Sequence, residues 1–217
     1  ESKELIETLD DRDIRHVRIL SGDMESDSPG PCVLIDDYRA AYEITRYLVG
    51  LGHRDIAFLA GSHEHDTSSE NRQRGYHAAL TDADIKPQAS LIVPGEYTFN
   101  SGSERTSTLL GQQQPPTAIF ACNDEIASGA LFAARIKQVA VPQQLSIVGF
   151  EDSPFSRQSW PKLTTAHQPN SEIAANAARI LIESIRSSRQ GNTDKDPARM
   201  GFQPEIVVRD STCPAAT

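Results

Sequence analysis

Apolar positions in this chain alternate between short unbroken runs and stripes spaced three to four residues apart, and that alternation lays out the elements. The clearest case is Ala118-Ile119-Phe120-Ala121, closed by Asn123 and Asp124 and followed by Ile126, Ala127, Ala130, Leu131 and Ala134. A buried strand therefore passes directly into an amphipathic helix, because a short side-chain oxygen at Asn123 or Asp124 can accept the first free helix N–H groups. The same unit recurs along the chain. Cys32–Ile35 is a strand, and Asp37 caps a helix whose stripe is Ala41, Ile44, Leu48 and Leu51 and which Gly52 ends. Ile56–Ala60 is a strand closed by Gly61; a polar loop over 62–70 precedes a helix carrying Arg72, Tyr76, Ala79 and Leu80.

The pattern continues with a short strand at Leu91–Val93, a loop over 94–100 holding Tyr97 and Phe99, and a helix opened by the capping-box pair Ser101 and Glu104. Leu145–Phe150 is the next strand, followed by a polar loop over 151–161 with the single Trp160 and an extended Leu163–Ala166. A Ser171-capped helix buries Ile173, Ala177, Ile180, Leu181 and Ile185; 187–198 reads as an exposed loop, and Glu205–Arg209 as a last strand. Before all of these, Leu5, Ile6 and Leu9 mark one face of a helix, and Val17–Leu20 a strand before the polar loop 21–31. A chain that opens in a helical pattern with no strand before it leads to the expectation of upstream polypeptide containing at least one strand. Strands alternating with amphipathic helices predict an α/β fold with parallel, doubly wound sheets.

Composition narrows the function. With 217 residues, 38% apolar and 24% charged, the chain is long enough for one large domain or two lobes around sizeable cores. A net charge of -9 argues against nucleic-acid binding by this segment itself, since that rests on neutralising phosphates with Lys and Arg. No apolar run approaches the roughly 20 residues of a membrane helix, so no membrane is implied. Cys32, Cys122 and Cys213 lie far apart without a CxxC or His/Cys cluster, which suits a reducing, cytoplasmic setting. The phosphate-cradling, zinc-protease and nucleophile-elbow motifs are all missing, so neither catalysis nor a cofactor is signalled. His63, His65 and Asp66 are read as solvated loop residues rather than metal ligands, because two histidines at i, i+2 lack a second ligand cluster.

What recurs is a polar or aromatic residue at successive strand ends: Asp36, the Ser68/Arg72 segment, Tyr97, Asn123, Glu151 with Asp152, and Gln168. Parallel strands would bring these to one crevice, since ligands in open α/β sheets sit outside the carboxyl ends of the strands. Carboxylate, amide and guanidinium groups fix hydroxyls, and Tyr97 or Trp160 offers an apolar face, a combination suited to a sugar or another small polar ring. Taken singly, Arg72 also suits a surface salt bridge, Tyr97 a core aromatic, and Trp160 a subunit contact.

The ordered segments LGHRDIAFLAG (51–61), ENRQRGYHAAL (70–80), PTAIFACNDEIASGAL (116–131), VPQQLSIVGFEDSP (141–154), WPKLTTAHQP (160–169) and PEIVVRDST (204–212) closely resemble the LacI/GalR family of bacterial transcriptional regulators. The likeness runs from about Pro31 onward. It implies a periplasmic-binding-protein-like type I fold of two doubly wound lobes joined by three crossovers, the first lobe lacking its N-terminal part. Lobe boundaries carried over from the resemblance are 1–35 with 169–198, and 36–168 with 199–217. The resemblance further implies that Arg72 of R-x-x-G-Y binds effector hydroxyls or a carboxylate, that Tyr97 stacks on the ligand, and that Asn123 hydrogen-bonds it. Where the family has Asp after Gly-[Tyr/Phe], this chain has Glu151 followed by Asp152, placing the carboxylate one methylene further from the backbone.

By the same resemblance the chain is the effector-sensing, dimerising part of a homodimeric regulator, with operator DNA bound by an upstream helix-turn-helix domain. Effector between the lobes would shift a conformational equilibrium that the DNA-binding heads read. A periplasmic sugar-binding component of a transporter is the alternative that shares this fold.

Overall fold

A computed structural model describes residues 3–22, 30–61, 67–189 and 198–216. They divide into a smaller unit, residues 1–36 and 169–203, and a larger one, residues 37–168 and 204–217, so the chain passes between units three times.

The smaller unit comprises helix α1 (Lys3–Asp11), strands β1 (Arg18–Ser21) and β2 (Cys32–Ile35), helix α7 (Asn170–Arg189) and strand β8 (Arg199–Phe202). Its three strands are parallel, in the order β1-β2-β8. Val33 and Ile35 pack on Ile173 and Ile180 of α7, with Met200 and Phe202 against them. Strand β8 differs from the sequence reading, which began the second lobe at residue 199. Met200 and Phe202 alternate with Arg199 and Gly201, but two apolar positions after the polar stretch 187–198 are too few to mark a strand, and it is pairing with β2, Cys32 to Arg199 through Ile35 to Phe202, that defines it. The return to the larger unit accordingly falls after Gln203.

The larger unit follows the expected alternation: α2 (Asp37–Gly50), β3 (Ile56–Gly61), α3 (Thr67–Asp82), β4 (Ile92–Gly95), α4 (Phe99–Leu109), β5 (Ala118–Ala121), α5 (Asp124–Ile136), β6 (Ser146–Glu151), α6 (Pro154–Gln158), β7 (Thr164–His167) and β9 (Glu205–Val207). The sheet order is β4-β3-β5-β6-β7-β9, parallel throughout except for the antiparallel edge strand β9. All of β5 and nearly all of β3 and β6 are buried. Strands covered on both faces read as continuous apolar runs, which is why periodicity found them. Phe58 stacks on Tyr76 of α3 and meets Phe120 edge-on at the centre of the core. Helices α4 and α5 cross without room for side chains: a β-carbon on Gly102 would collide with the Ile126 carbonyl, and one on Gly129 with that of Phe99.

Two local expectations are corrected. Helix α4 starts at Phe99, two residues before Ser101, because Thr98 is the N-cap and accepts from the Ser101 N–H at 3.3 Å. Residues 154–158, read as loop, form the short α6, opened by Pro154 at its first turn. Among the described residues, no helix is long and apolar enough to cross a membrane.

Candidate functional site

The sheet order reverses at β3. From β3 the chain goes through α3 to β4 on one side, then through α4 to β5 on the other. Such a reversal leaves the crevice at the carboxyl ends of the two central strands open, and ligands of doubly wound sheets bind there. Gly61 ends β3, and Cys122 and Asn123 follow β5.

Arg72, on the second turn of α3, is 5% exposed at this reversal. Its Nε donates to the Asp37 carboxylate at 2.8 Å and its Nη1 to the Cys122 carbonyl, while the guanidinium lies 3.7 Å over the Phe150 ring centroid. Among the described residues, no hydrogen bond engages Nη2. Ser69, one turn before Arg72, accepts from the Gly61 N–H at 2.9 Å and lies 3.7 Å from the Cys122 sulfur. The Tyr97 ring covers Gly61, its hydroxyl 3.6 Å from the same sulfur. Asn123 caps α5, its Oδ1 accepting from the Ile126 N–H at 2.8 Å, which leaves its amide NH2 to face outward chemistry. Arg72 and Tyr97, distant in sequence, thus meet at Cys122, and Asn123 is the next residue along.

The loop that carries Tyr97 is held from below by Arg105 of α4. This buried guanidinium donates to the carbonyls of Ala60 (2.7 Å), Val93 (2.8 Å), Glu96 (3.1 Å) and Ser101 (3.1 Å). One side chain therefore ties together the ends of β3 and β4 and the segment leading into α4.

Glu151 closes β6 with φ +100°, and Asp152 follows with φ +54°. Two successive non-glycine residues in the left-handed half of the map are sterically disfavoured, and such strain concentrates at functional positions. The two carboxylates part company. Asp152 accepts from Arg209 Nη2 (2.6 Å) and Ser156 Oγ (2.8 Å) and pairs with Arg157 (3.2 Å) and His167 (3.1 Å). It is a junction of α6, β7 and the segment after β9, with its acceptors spent on protein, and it does not join the Arg72 group. The Glu151 carboxylate has no hydrogen-bond partner among the described residues and is within electrostatic reach of Arg72, Asp37, Asp124 and Glu125.

The remaining sequence candidates lie elsewhere. Trp160 is 83% exposed and borders a shallow cavity of about 280 Å³ with Phe99, Phe132, Phe155 and Arg135, which Arg72, Tyr97 and Asn123 do not line. The ligand-stacking reading of Trp160 is corrected on this ground: that face is an open apolar surface. Ser68 is half-buried in the first turn of α3, and it is Ser69 that bonds the strand end. Gln168 ends the larger unit's first segment, its N–H 3.4 Å from the Glu151 carbonyl. Asp36 belongs to the smaller unit, its N–H bonded to Phe202. His63, His65 and Asp66 lie outside the described residues. Among the described residues, no cluster of His, Cys, Asp and Glu could hold a metal ion.

Burial and neighbouring charges pull in opposite directions at the strand ends. Burial opposes the Arg72 cation, but Asp37, the Cys122 sulfur and Glu151 outweigh it and hold its pKa above the ordinary arginine value. Burial pushes the Glu151 carboxyl above its ordinary range; Arg72 opposes this, while Asp124, Asp37 and Glu125 add to it. Burial likewise raises Asp124, against hydrogen bonds from Thr165 (2.6 Å) and Ser153 (2.7 Å).

Residues 45–212 match the family model of the periplasmic binding protein-like domain. The chain belongs to that family, as an effector-binding domain of the LacI/GalR type. The HTH-type transcriptional regulator DegA of Bacillus subtilis is 38% identical over 189 residues, 87% of this chain and 54% of the relative. A structure of the transcriptional regulator CelR with cellobiose superposes with a TM-score of 0.85 at 26% identity, over 97% of this chain and 63% of that one. A LacI family regulator from Enterococcus faecium with bound ribose gives 0.83 at 26%, over 100% and 77%. The chain spans about half the length of the curated relatives it matches.

Proposed function

We propose that this LacI-type domain senses a small carbohydrate at the carboxyl ends of β3, β5 and β6, and passes the signal to an operator-binding helix-turn-helix domain upstream. The observation that carries the reading is the meeting of Arg72, with its partner Asp37, and Tyr97 at Cys122, beside Asn123 at the reversal of sheet order. It combines a charged donor, a carboxylate, an amide and an aromatic face, as a hydroxylated ring requires. The bound sugars of the CelR and Enterococcus faecium structures support the ligand class, and the regulators among the relatives favour a cytoplasmic transcription factor over a transporter component. Binding selects one of two conformations of the domain, and the difference in affinity sets how far operator binding shifts. The domain works as a homodimer and is a sensor, not a catalyst.

Calorimetric titration of the 217-residue chain with a panel of mono- and disaccharides tests the reading. Saturable heat with a sugar, abolished by Arg72→Ala, is the expected result. Heat only with nucleobases or amino acids would sink the carbohydrate assignment.

A further inference from the structure

Each cation near the strand ends is already committed to the protein. Arg72 is neutralised by Asp37 at 2.8 Å, both side chains almost fully buried. Arg105 spends its donors on four backbone carbonyls. Carboxylates are in excess: besides Asp37, Glu151 lies in the same electrostatic neighbourhood as Asp124 and Glu125. Asp152 is engaged by Arg157, Arg209 and His167 in a cluster of its own, which Arg72 does not join. An incoming anion would find Arg72 already paired with Asp37 and Arg105 with its donors turned to carbonyls, and it would add to the charge of Glu151. Like charges brought together in a partly dry site repel, and more strongly than in water.

The unused hydrogen-bonding capacity points the same way. Arg72 Nη2 and the Asn123 amide NH2 have no partner among the described residues and can only donate. The Glu151 carboxylate, without a hydrogen bond of its own, can only accept when ionised. A hydroxyl satisfies both kinds at once, accepting from Arg72 or Asn123 and donating to Glu151. A carboxylate or phosphate accepts only, so it would cover the half-buried Glu151 without giving it a donor, and a polar group cut off from water without a partner is costly.

We infer that this strand-end cluster takes an uncharged polyhydroxylated ring and rejects the uronate and phosphate of the same sugar. The inference rests on the carbohydrate reading above and deepens it.

The test is titration of the 217-residue chain with neutral mono- and disaccharides, then with the uronate and phosphate ester of any that bind. The charged forms should bind at least tenfold more weakly. Asp37→Asn, which frees the Arg72 charge while keeping its shape, should shrink that gap at least tenfold. Glu151→Gln, less deeply buried, is the second variant; it should weaken the neutral sugar and narrow the gap severalfold. Equal or tighter binding of the charged forms would overturn this inference and leave the sensing role standing. An unchanged gap in both variants would do the same. Silence from every carbohydrate, with binding of a nucleobase, would overturn the parent reading as well.

Discussion

The Tyr97 ring lies so closely against the α-carbon of Gly61 that a β-carbon there would overlap the ring's hydroxyl edge. The end of β3 and the loop after β4 are thereby fitted to each other at the point where a ligand would stack. Gly61→Ala should push the ring aside. The displaced atoms are the far end of a half-buried side chain, so the stability change should stay within about 1 kcal/mol. Sugar affinity should fall about tenfold or more, roughly 1.4 kcal/mol. Calorimetry against a urea titration separates the two; a large stability loss with unchanged affinity would contradict the arrangement.

The Arg72–Asp37 pair makes a distinct prediction about stability. Removing one member of a buried ion pair leaves an uncompensated charge and costs about 3–5 kcal/mol, whereas replacing both by apolar groups is often neutral. Arg72→Met should therefore lower the urea midpoint sharply, and adding Asp37→Leu should restore most of it. Neither variant should bind sugar. If the double variant is as unstable as the sum of the singles, the pair is not an isolated unit.

Arg105 reads differently, since its partners are all carbonyls. Arg105→Met would take one donor from each of four carbonyls, at about 1–3 kcal/mol for each left unsatisfied where water cannot reach. Amide hydrogen exchange should quicken in 93–101 before it does in β5. Arg105→Lys, with three donors in place of the planar fork, should recover part of the protection.

These relationships show what the sequence could and could not disclose. The strands of the larger unit were legible because parallel strands buried on both faces are unbroken apolar runs, as in Phe58-Leu59 and Phe120-Ala121. Strand β8 was not, because its alternation is only two apolar residues long, Met200 and Phe202, and pairing with β2 defines it. Arg72, Tyr97 and Asn123 could be named from motifs, but Asp37 was read only as a helix cap. Its partner is 35 residues away, and nothing local distinguishes a carboxylate that caps from one that pairs. Trp160 was misplaced for the converse reason: an aromatic in a polar loop suits a ligand or a partner surface equally until its exposure is known.

Glu151 gives the site a pH dependence. Burial holds its folded pKa above the ordinary value of 4.5, so the folded protein binds this proton more tightly than the unfolded chain does. The contribution is therefore most favourable below about pH 4.5 and is lost as pH rises through the folded pKa. Glu151→Gln should remove that loss. The variant's stability relative to the parent should rise with pH above 4.5 and level off once Glu151 is fully ionised. A difference that is flat between pH 4.5 and 8 would mean the carboxyl is solvated in solution.

The face bearing Trp160 carries the last prediction. Phe132 (47% exposed) and Ile136 (66%) lie a turn apart on α5, and Phe155 of α6 stands beside Trp160. Large aromatic side chains left this exposed around a shallow cavity mark a surface that another chain covers. In the homodimer proposed above a second copy would cover it, the patch meeting itself across a two-fold axis. Buried aromatic anchors at such centres are typically worth about 2 kcal/mol or more each. Trp160→Ser with Phe132→Ser should therefore raise the dimer dissociation constant about a hundredfold or more, read by sedimentation velocity across a dilution series. Circular dichroism should be unchanged, because both side chains lie outside the core. A parent chain that sediments as a monomer, or a variant that stays dimeric, would reassign this face.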